Sequence, residues 1–171
     1  MFRKTTSIDL KPLILFVFAA IFLSAAFVFG AYPGIGLTVS AQPVPTPEKA
    51  AYAGYKGVMV GLTADEARRK LGDPRDKSDT QDFFVFSDNE SAQVYYDTTK
   101  NVSLVSVSYV GNVSGIPSPR EVFGEDVDAK PDGSIFKMVR YPKAGYFISY
   151  SKTAGSDPIV TITVQKIQQG N

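Results

Sequence analysis

The pattern of apolar and polar positions divides the chain into an apolar N-terminal run and a longer region of short helical and strand-like periods. The run 13–32 contains no charged side chain, and a helix of this length would span a hydrocarbon core of about 30 Å. Basic residues precede the run, and no charge follows it until Glu48. Because basic residues favour the cytoplasmic side, residues 1–32 are expected to form one transmembrane or signal helix that exports everything downstream.

Two fates stay open for this segment. An uncleaved anchor would hold the protein in the inner membrane with its domain facing the periplasm, and membrane contact would then run through residues 13–32. The small residues before Gln42 also fit a cleavage site, and cleavage after Ala41 would give a secreted protein. Residues 33–56 are rich in Pro, Gly and Ala, a composition that predicts an extended linker.

A short helix signature opens the folded region. Thr63 and Glu66 have the spacing of a capping box, in which each side chain satisfies a backbone N–H of the other residue. The helix is expected to end at Leu71, because Gly72 suits a C-terminal cap and Pro74 cannot continue a helix. Three runs rich in aromatic and β-branched residues follow, with turn residues between them. They are 82–87, 91–97 and 102–110.

The same order of signals occurs a second time. Ser118 and Glu121 form another capping box, and Gly124 again follows a short helix. Three more strand-like runs are 134–141, 144–151 and 159–166. The sequence 104–108 aligns with 159–163, apolar with apolar and hydroxyl with hydroxyl, 55 residues on.

This recurrence predicts an α+β fold of two tandem repeats, each a short helical element followed by a three-stranded antiparallel meander. The first repeat is expected at 57–115 and the second at 116–171, after the N-terminal helix and the linker. A unit of this size buries little surface alone, so pairing of the two units would complete one core.

Composition excludes several kinds of chemistry. The chain has no cysteine and no histidine, which removes the thiolate nucleophile, the commonest general base and the usual zinc ligands. Its 18 basic and 17 acidic residues nearly cancel, so no basic stripe is available to neutralise phosphates. We therefore expect no catalytic, metal or cofactor site, no cofactor and no nucleic-acid partner.

Two local motifs have features of an active or metal site. The acidic loop at 125–132 lacks the regular spacing of a calcium loop, because Lys130 and Pro131 interrupt it. The Ser134-x-x-Lys137 motif lies in a predicted strand, where residues three apart point to opposite sides and cannot act together. Neither motif predicts an active site.

The run from Gly61 to Ala67, followed by Leu71-Gly72-Asp73-Pro74, resembles the G-[ML]-T-x-x-[EQ]-[VA]…LG-x-P signature of the SmpA/OmlA (BamE-like) family. The resemblance implies a helical pair on a three-stranded meander and non-covalent protein binding in the bacterial cell envelope. The tandem arrangement is also similar to the β-lactamase-inhibitor-protein-like fold. Family lipoproteins carry a lipidated cysteine that is missing here, which favours an inner-membrane or secreted relative.

Aromatic side chains in the predicted strands supply the candidate interface. Tyr95, Tyr96, Phe147 and Tyr150 lie on two of these strands, where neighbours face opposite ways, so some should be exposed as interface anchors. The sequence thus predicts a non-enzymatic extracytoplasmic module that binds another envelope protein. The alternative is a periplasmic small-molecule or lipid carrier with a pocket between two sheets, and the oligomeric state stays open.

Overall fold

The computed structural model describes residues 50–52, 54–112 and 114–168, which belong to one compact unit. Two α-helices lie among the described residues, α1 at Ala64–Leu71 and α2 at Pro119–Phe123, and a single 3-10 turn at Pro142–Ala144 joins two of the strands. The strands are β1 (Asp76–Lys77), β2 (Gln81–Ser87), β3 (Glu90–Tyr96), β4 (Val102–Val110), β5 (Ile135–Tyr141), β6 (Tyr146–Lys152) and β7 (Ile159–Lys166).

All seven strands belong to one antiparallel sheet with the order β1-β2-β3-β4-β7-β6-β5. The predicted fold class, two tandem helix-plus-meander repeats, is therefore wrong. Six of the predicted strands exist close to their predicted positions, but β4 pairs with β7 along seven residue pairs. This pairing satisfies the backbone of both strands and merges the two halves into a single sheet. The edge strand β1 was not predicted, because Asp76 and Lys77 have no apolar period.

The predicted N-terminal membrane helix is a second correction. Among the described residues, no helix combines the length and the apolar character that a membrane span requires. The segment 1–32 to which that prediction applied lies outside the described residues, as do residues 33–49 of the predicted linker. The rest of that linker contributes Ala50 and Tyr55 to the buried core.

One face of the sheet, the covered face, packs against both α-helices and against residues 50–52 and 54–58. The capping boxes predicted at Thr63 and Ser118 are both present and begin α1 and α2. Eight residues are too few for a helix to be stable alone, so α1 depends on burying Ala64, Ala67 and Leu71 against the strands. Both helices are thus held in place by tertiary packing.

The alternation of residues along β7 shows why the sheet has two different faces. Val160, Ile162 and Val164 are buried, whereas Thr161 and Thr163 between them are only half-buried. Successive side chains of a strand point to opposite sides. In β4, Val102, Val105 and Val107 are buried in the same core as Val160 and Val164 of β7.

Candidate functional site

The second face of the sheet carries no helix among the described residues, and we call it the open face. Strand register assigns its side chains. Its members on the six longer strands are Gln81, Phe83, Val85, Ser91, Gln93, Tyr95, Leu104, Ser106, Ser108, Val110, Ile159, Thr161, Thr163, Gln165, Phe147, Ser149, Ser151, Phe136, Met138 and Arg140.

Hydroxyl groups occupy the centre of the open face. The Ser106 and Thr163 hydroxyl oxygens lie 2.9 Å apart across the β4–β7 pair, and those of Ser108 and Thr161 lie 3.3 Å apart. Each pair satisfies part of its hydrogen-bonding capacity within the sheet, so these groups hold less water than isolated hydroxyls would. The centre is neutral and can be covered by another surface at modest desolvation cost.

Exposed apolar side chains surround this neutral centre. Phe136 is 57% and Met138 is 50% exposed on β5, while Val85 is 42% exposed on β2 and Val110 is 43% exposed at the end of the central strand β4. Single exposed apolar residues are ordinary, but several on one surface mark an interaction site. The open face holds four of the five most exposed large apolar side chains among the described residues.

Charge is sparse on the open face. Among its described side chains only Arg140 of β5 is charged, and Asp76 of β1 lies at the opposite edge beside Phe83. The two charges cancel and neither lies near the centre. A surface of this kind gives no electrostatic attraction to nucleic acid or to an anionic membrane.

The four aromatic residues proposed as an interface divide between the two faces. Tyr95 and Phe147 lie in one row across the open face, joined through Leu104 and Gln165. With strands about 4.8 Å apart, that row separates the two rings by roughly 14 Å. Tyr96 and Tyr150 are buried on the covered face, at 7% and 3% exposure. The structure therefore brings Tyr95 and Phe147 to the open face and separates them from the other two.

Tyr96 belongs to a buried ionic cluster centred on Asp82, which is fully buried. Arg68 of α1 donates two hydrogen bonds to this carboxylate, at 2.7 and 3.2 Å, and the Tyr96 hydroxyl donates a third at 2.6 Å. Burial acts to raise the pKa of Asp82, but the hydrogen bonds from Arg68 and Tyr96 outweigh it and hold the pKa below its usual range. The cluster fixes α1 on the sheet.

A second polar cluster joins residues 54–58 to β3. The Tyr55 hydroxyl donates to the Glu90 carboxylate, and the Lys56 ammonium lies 3.4 Å from the same carboxylate and 3.7 Å above the Phe86 ring. Burial raises the pKa of nearby Tyr109 to about 12. Burial also raises the pKa of Tyr55, so both phenols stay protonated at neutral pH, and the cluster anchors this segment to β3.

The side chains of the acidic loop at 125–132 and of the Ser134-x-x-Lys137 motif form ion pairs and hydrogen bonds with nearby residues. In the acidic loop, Asp126 pairs with Arg120, Glu125 pairs with Lys137, and the Asp132 carboxylate accepts from Ser134. These carboxylates diverge toward separate partners. Across the described part of the chain, no group of three acidic, histidine or cysteine side chains is placed to hold a metal ion.

A cleft of about 480 Å³ lies on the covered face, where residues 111–112 and 114–118 between β4 and α2 pass the ends of β5, β6 and β7. The alternative function expected a pocket between two sheets, but the described residues form one sheet and the cleft lies beside it. Sequence reasoning missed this cleft because its walls come from a loop and three strands brought together by the β4–β7 pairing. Tyr150, predicted as an interface residue, lines this cleft instead.

Comparison of the chain with protein-family models, with curated proteins and with solved structures finds no match in any of the three.

Proposed function

We propose that this chain is a non-enzymatic, extracytoplasmic protein-binding module of the bacterial cell envelope, and that the open face is its docking surface. The observation that carries the proposal is a sheet face with a neutral hydroxyl centre and the exposed apolar side chains Val85, Val110, Phe136 and Met138. The cores of protein interfaces are depleted in charge and enriched in aromatic residues and methionine. The open face has that composition.

The size of the face suits a protein partner. Six strands at about 4.8 Å spacing and seven residues at about 3.4 Å rise give a surface of roughly 600 Å². Stable interfaces bury about 800 Å² on each partner. The open face would therefore supply most of one such interface, with the 57% exposed Phe136 as an anchor near its edge.

Two sequence features support the cellular setting. The uncharged run 13–32 follows three basic residues, as expected for export from the cytoplasm. The Gly61–Pro74 motif resembles the SmpA/OmlA family, whose members bind other envelope proteins. In the structure, the motif residues Thr63, Glu66 and Gly72 cap α1 at its two ends, so the resemblance supports a shared scaffold, and docking would fall to the open face.

The test places a photo-crosslinking amino acid at position 136 in intact cells and identifies the attached protein by mass spectrometry. We expect one envelope protein to be crosslinked from position 136 and not from position 59. Met59 is a matched control, because it is 44% exposed but lies outside the sheet.

Charge substitution gives the second arm of the test. Met138→Glu should abolish the crosslink from position 136, because it places an unpaired carboxylate inside the interface, whereas Met59→Glu should leave it unchanged. Thermal melting should show that both variants stay folded. A crosslink that survives Met138→Glu, or the same partner captured equally from position 59, would refute docking on the open face.

A further inference from the structure

The cleft beside the loop between β4 and α2 contains a hydroxyl group that the protein itself does not satisfy. Tyr150 is only 3% exposed, yet no other described residue forms a hydrogen bond with its hydroxyl. Among the described residues, the only fully enclosed side-chain polar atom without a hydrogen-bond partner is the Tyr52 hydroxyl. The Tyr150 hydroxyl is therefore not fully enclosed, and Tyr150 lines the cleft. A buried hydroxyl that opens into a cleft is available to a ligand.

A cation lies on the same side of β6 as this hydroxyl. Lys152 follows Tyr150 by two residues in β6, so both side chains leave the strand on the same side, with Cα atoms about 7 Å apart. No other described residue pairs with the Lys152 ammonium, and none of the residues lining the cleft is acidic. The cleft therefore presents one uncompensated positive charge beside one free hydroxyl.

The remaining walls are largely apolar and partly rigid. Ile135 and Val160 form the strand side of the cleft, and Ile116, Pro117 and Pro119 form the loop side. Proline fixes its own backbone dihedral, so this wall loses little freedom when it is covered. The polar atoms of Asn112 and Ser118 at the loop already have partners, because Asn112 donates to the Ser156 carbonyl and Ser118 donates to the Glu121 carboxylate.

We propose that this cleft binds an organic monocarboxylate with a compact apolar body, whose carboxylate lies between the Lys152 ammonium and the Tyr150 hydroxyl. A single cation with one hydroxyl matches the charge of a carboxylate and leaves a doubly charged phosphate half unpaired. The volume of about 480 Å³ falls within the range of about 300–1,000 Å³ for ligand sites. The site lies on the other side of the sheet from the open face and does not depend on it.

The same chemistry has two sources, a free aliphatic acid or the C-terminal residue of an apolar peptide. Calorimetric titration of the full-length protein with octanoate and with N-acetyl-Leu-Leu separates them. We expect at least one acid to bind, and the stronger ligand identifies the source. Octanamide and the amide of the same peptide should bind at least about tenfold more weakly, because a hydrogen-bonded ion pair is lost.

Four variants test the assigned residues. Lys152→Gln removes the positive charge and Tyr150→Phe removes the hydroxyl, and both keep the size of the side chain, so each should weaken binding of the acid by about fivefold or more. Lys130→Gln in an exposed loop and Tyr95→Phe on the open face should leave the affinity unchanged. Absence of binding by both acids, equal binding of acid and amide, or unchanged affinity in Lys152→Gln and Tyr150→Phe would overturn the proposal.

Discussion

Replacing Asp82 with alanine is expected to lower the free energy of unfolding by about 3–5 kcal/mol, because it leaves the partly buried Arg68 guanidinium without its buried carboxylate partner. Asp82 is fully buried and accepts three hydrogen bonds, two from Arg68 and one from Tyr96. The substitution removes the acceptor for all three and weakens the attachment of α1 to the sheet, which then depends on the buried residues Ala64, Ala67 and Leu71. Urea unfolding followed by circular dichroism would measure the loss.

A matched control for this change is Asp79→Ala. Asp79 pairs with Lys100, but the Asp79 side chain is 96% exposed, so water replaces the lost partner and the free energy of unfolding should change little. If both alanine variants unfolded at the same urea concentration, the buried cluster would not be the contact that holds α1.

The same cluster gives a pH dependence with a definite sign. The pKa of Asp82 is lower in the folded protein than its usual value, so the stability it contributes is fully present above about pH 4, the unfolded carboxyl value, and is lost as pH falls through the folded pKa. The stability of the wild-type protein should therefore fall more steeply below about pH 4 than that of Asp82→Asn. Parallel pH profiles for the two proteins would contradict this assignment.

Phe84→Ala is the second substitution with a large expected effect, about 3–5 kcal/mol. Phe84 is 1% exposed on the covered face, and its cross-strand neighbour is the small Ala92. Its ring fills the space that Ala92 leaves, and the stacked ring of Phe86, with its centroid 6.2 Å away, cannot fill a cavity there without leaving its own contacts. The variant would keep an unfilled cavity beneath α1 and residues 50–52 and 54–58.

Phe136→Ala is the matched control for this change. It removes the same atoms, but from a side chain that is 57% exposed on the open face, so most of the ring is already in contact with water and the loss should stay below about 1 kcal/mol. Chemical denaturation of both variants would compare their losses in the free energy of unfolding. A large loss in Phe136→Ala would mean that the open face is packed within the protein itself and is not free for docking.

Local signals in the sequence predicted the local structure well. The caps at Thr63 and Ser118 depend on residues three positions apart, and both are confirmed. The apolar residues of the 159–163 match that alternate with hydroxyl residues include the buried Val160 and Ile162, because a strand with one covered face has a period of two. Residues close together in the sequence are sufficient to specify such features.

The architecture and the candidate sites depend on pairings that local patterns do not encode. The alignment of 104–108 with 159–163 showed that β4 and β7 are alike, but not that they are adjacent partners in one sheet. Tyr95 and Phe147 could be placed in one row only from the register of four strands. The Tyr150–Lys152 cleft likewise forms only after the loop between β4 and α2 crosses the strand ends.

The strand order has a consequence for how the chain reaches its structure. Within β2-β3-β4 and within β5-β6-β7, each strand pairs with the next one in the sequence, so these contacts need only short loops to close. The β4–β7 seam instead joins residues such as Ser106 and Thr163, which are 57 positions apart. Long-range pairing loses loop-closure entropy before the stabilising contacts between the strands have formed. We therefore expect the two meanders β2-β3-β4 and β5-β6-β7 to form rapidly. The slower pairing of β4 with β7 should then set the folding rate of the whole domain.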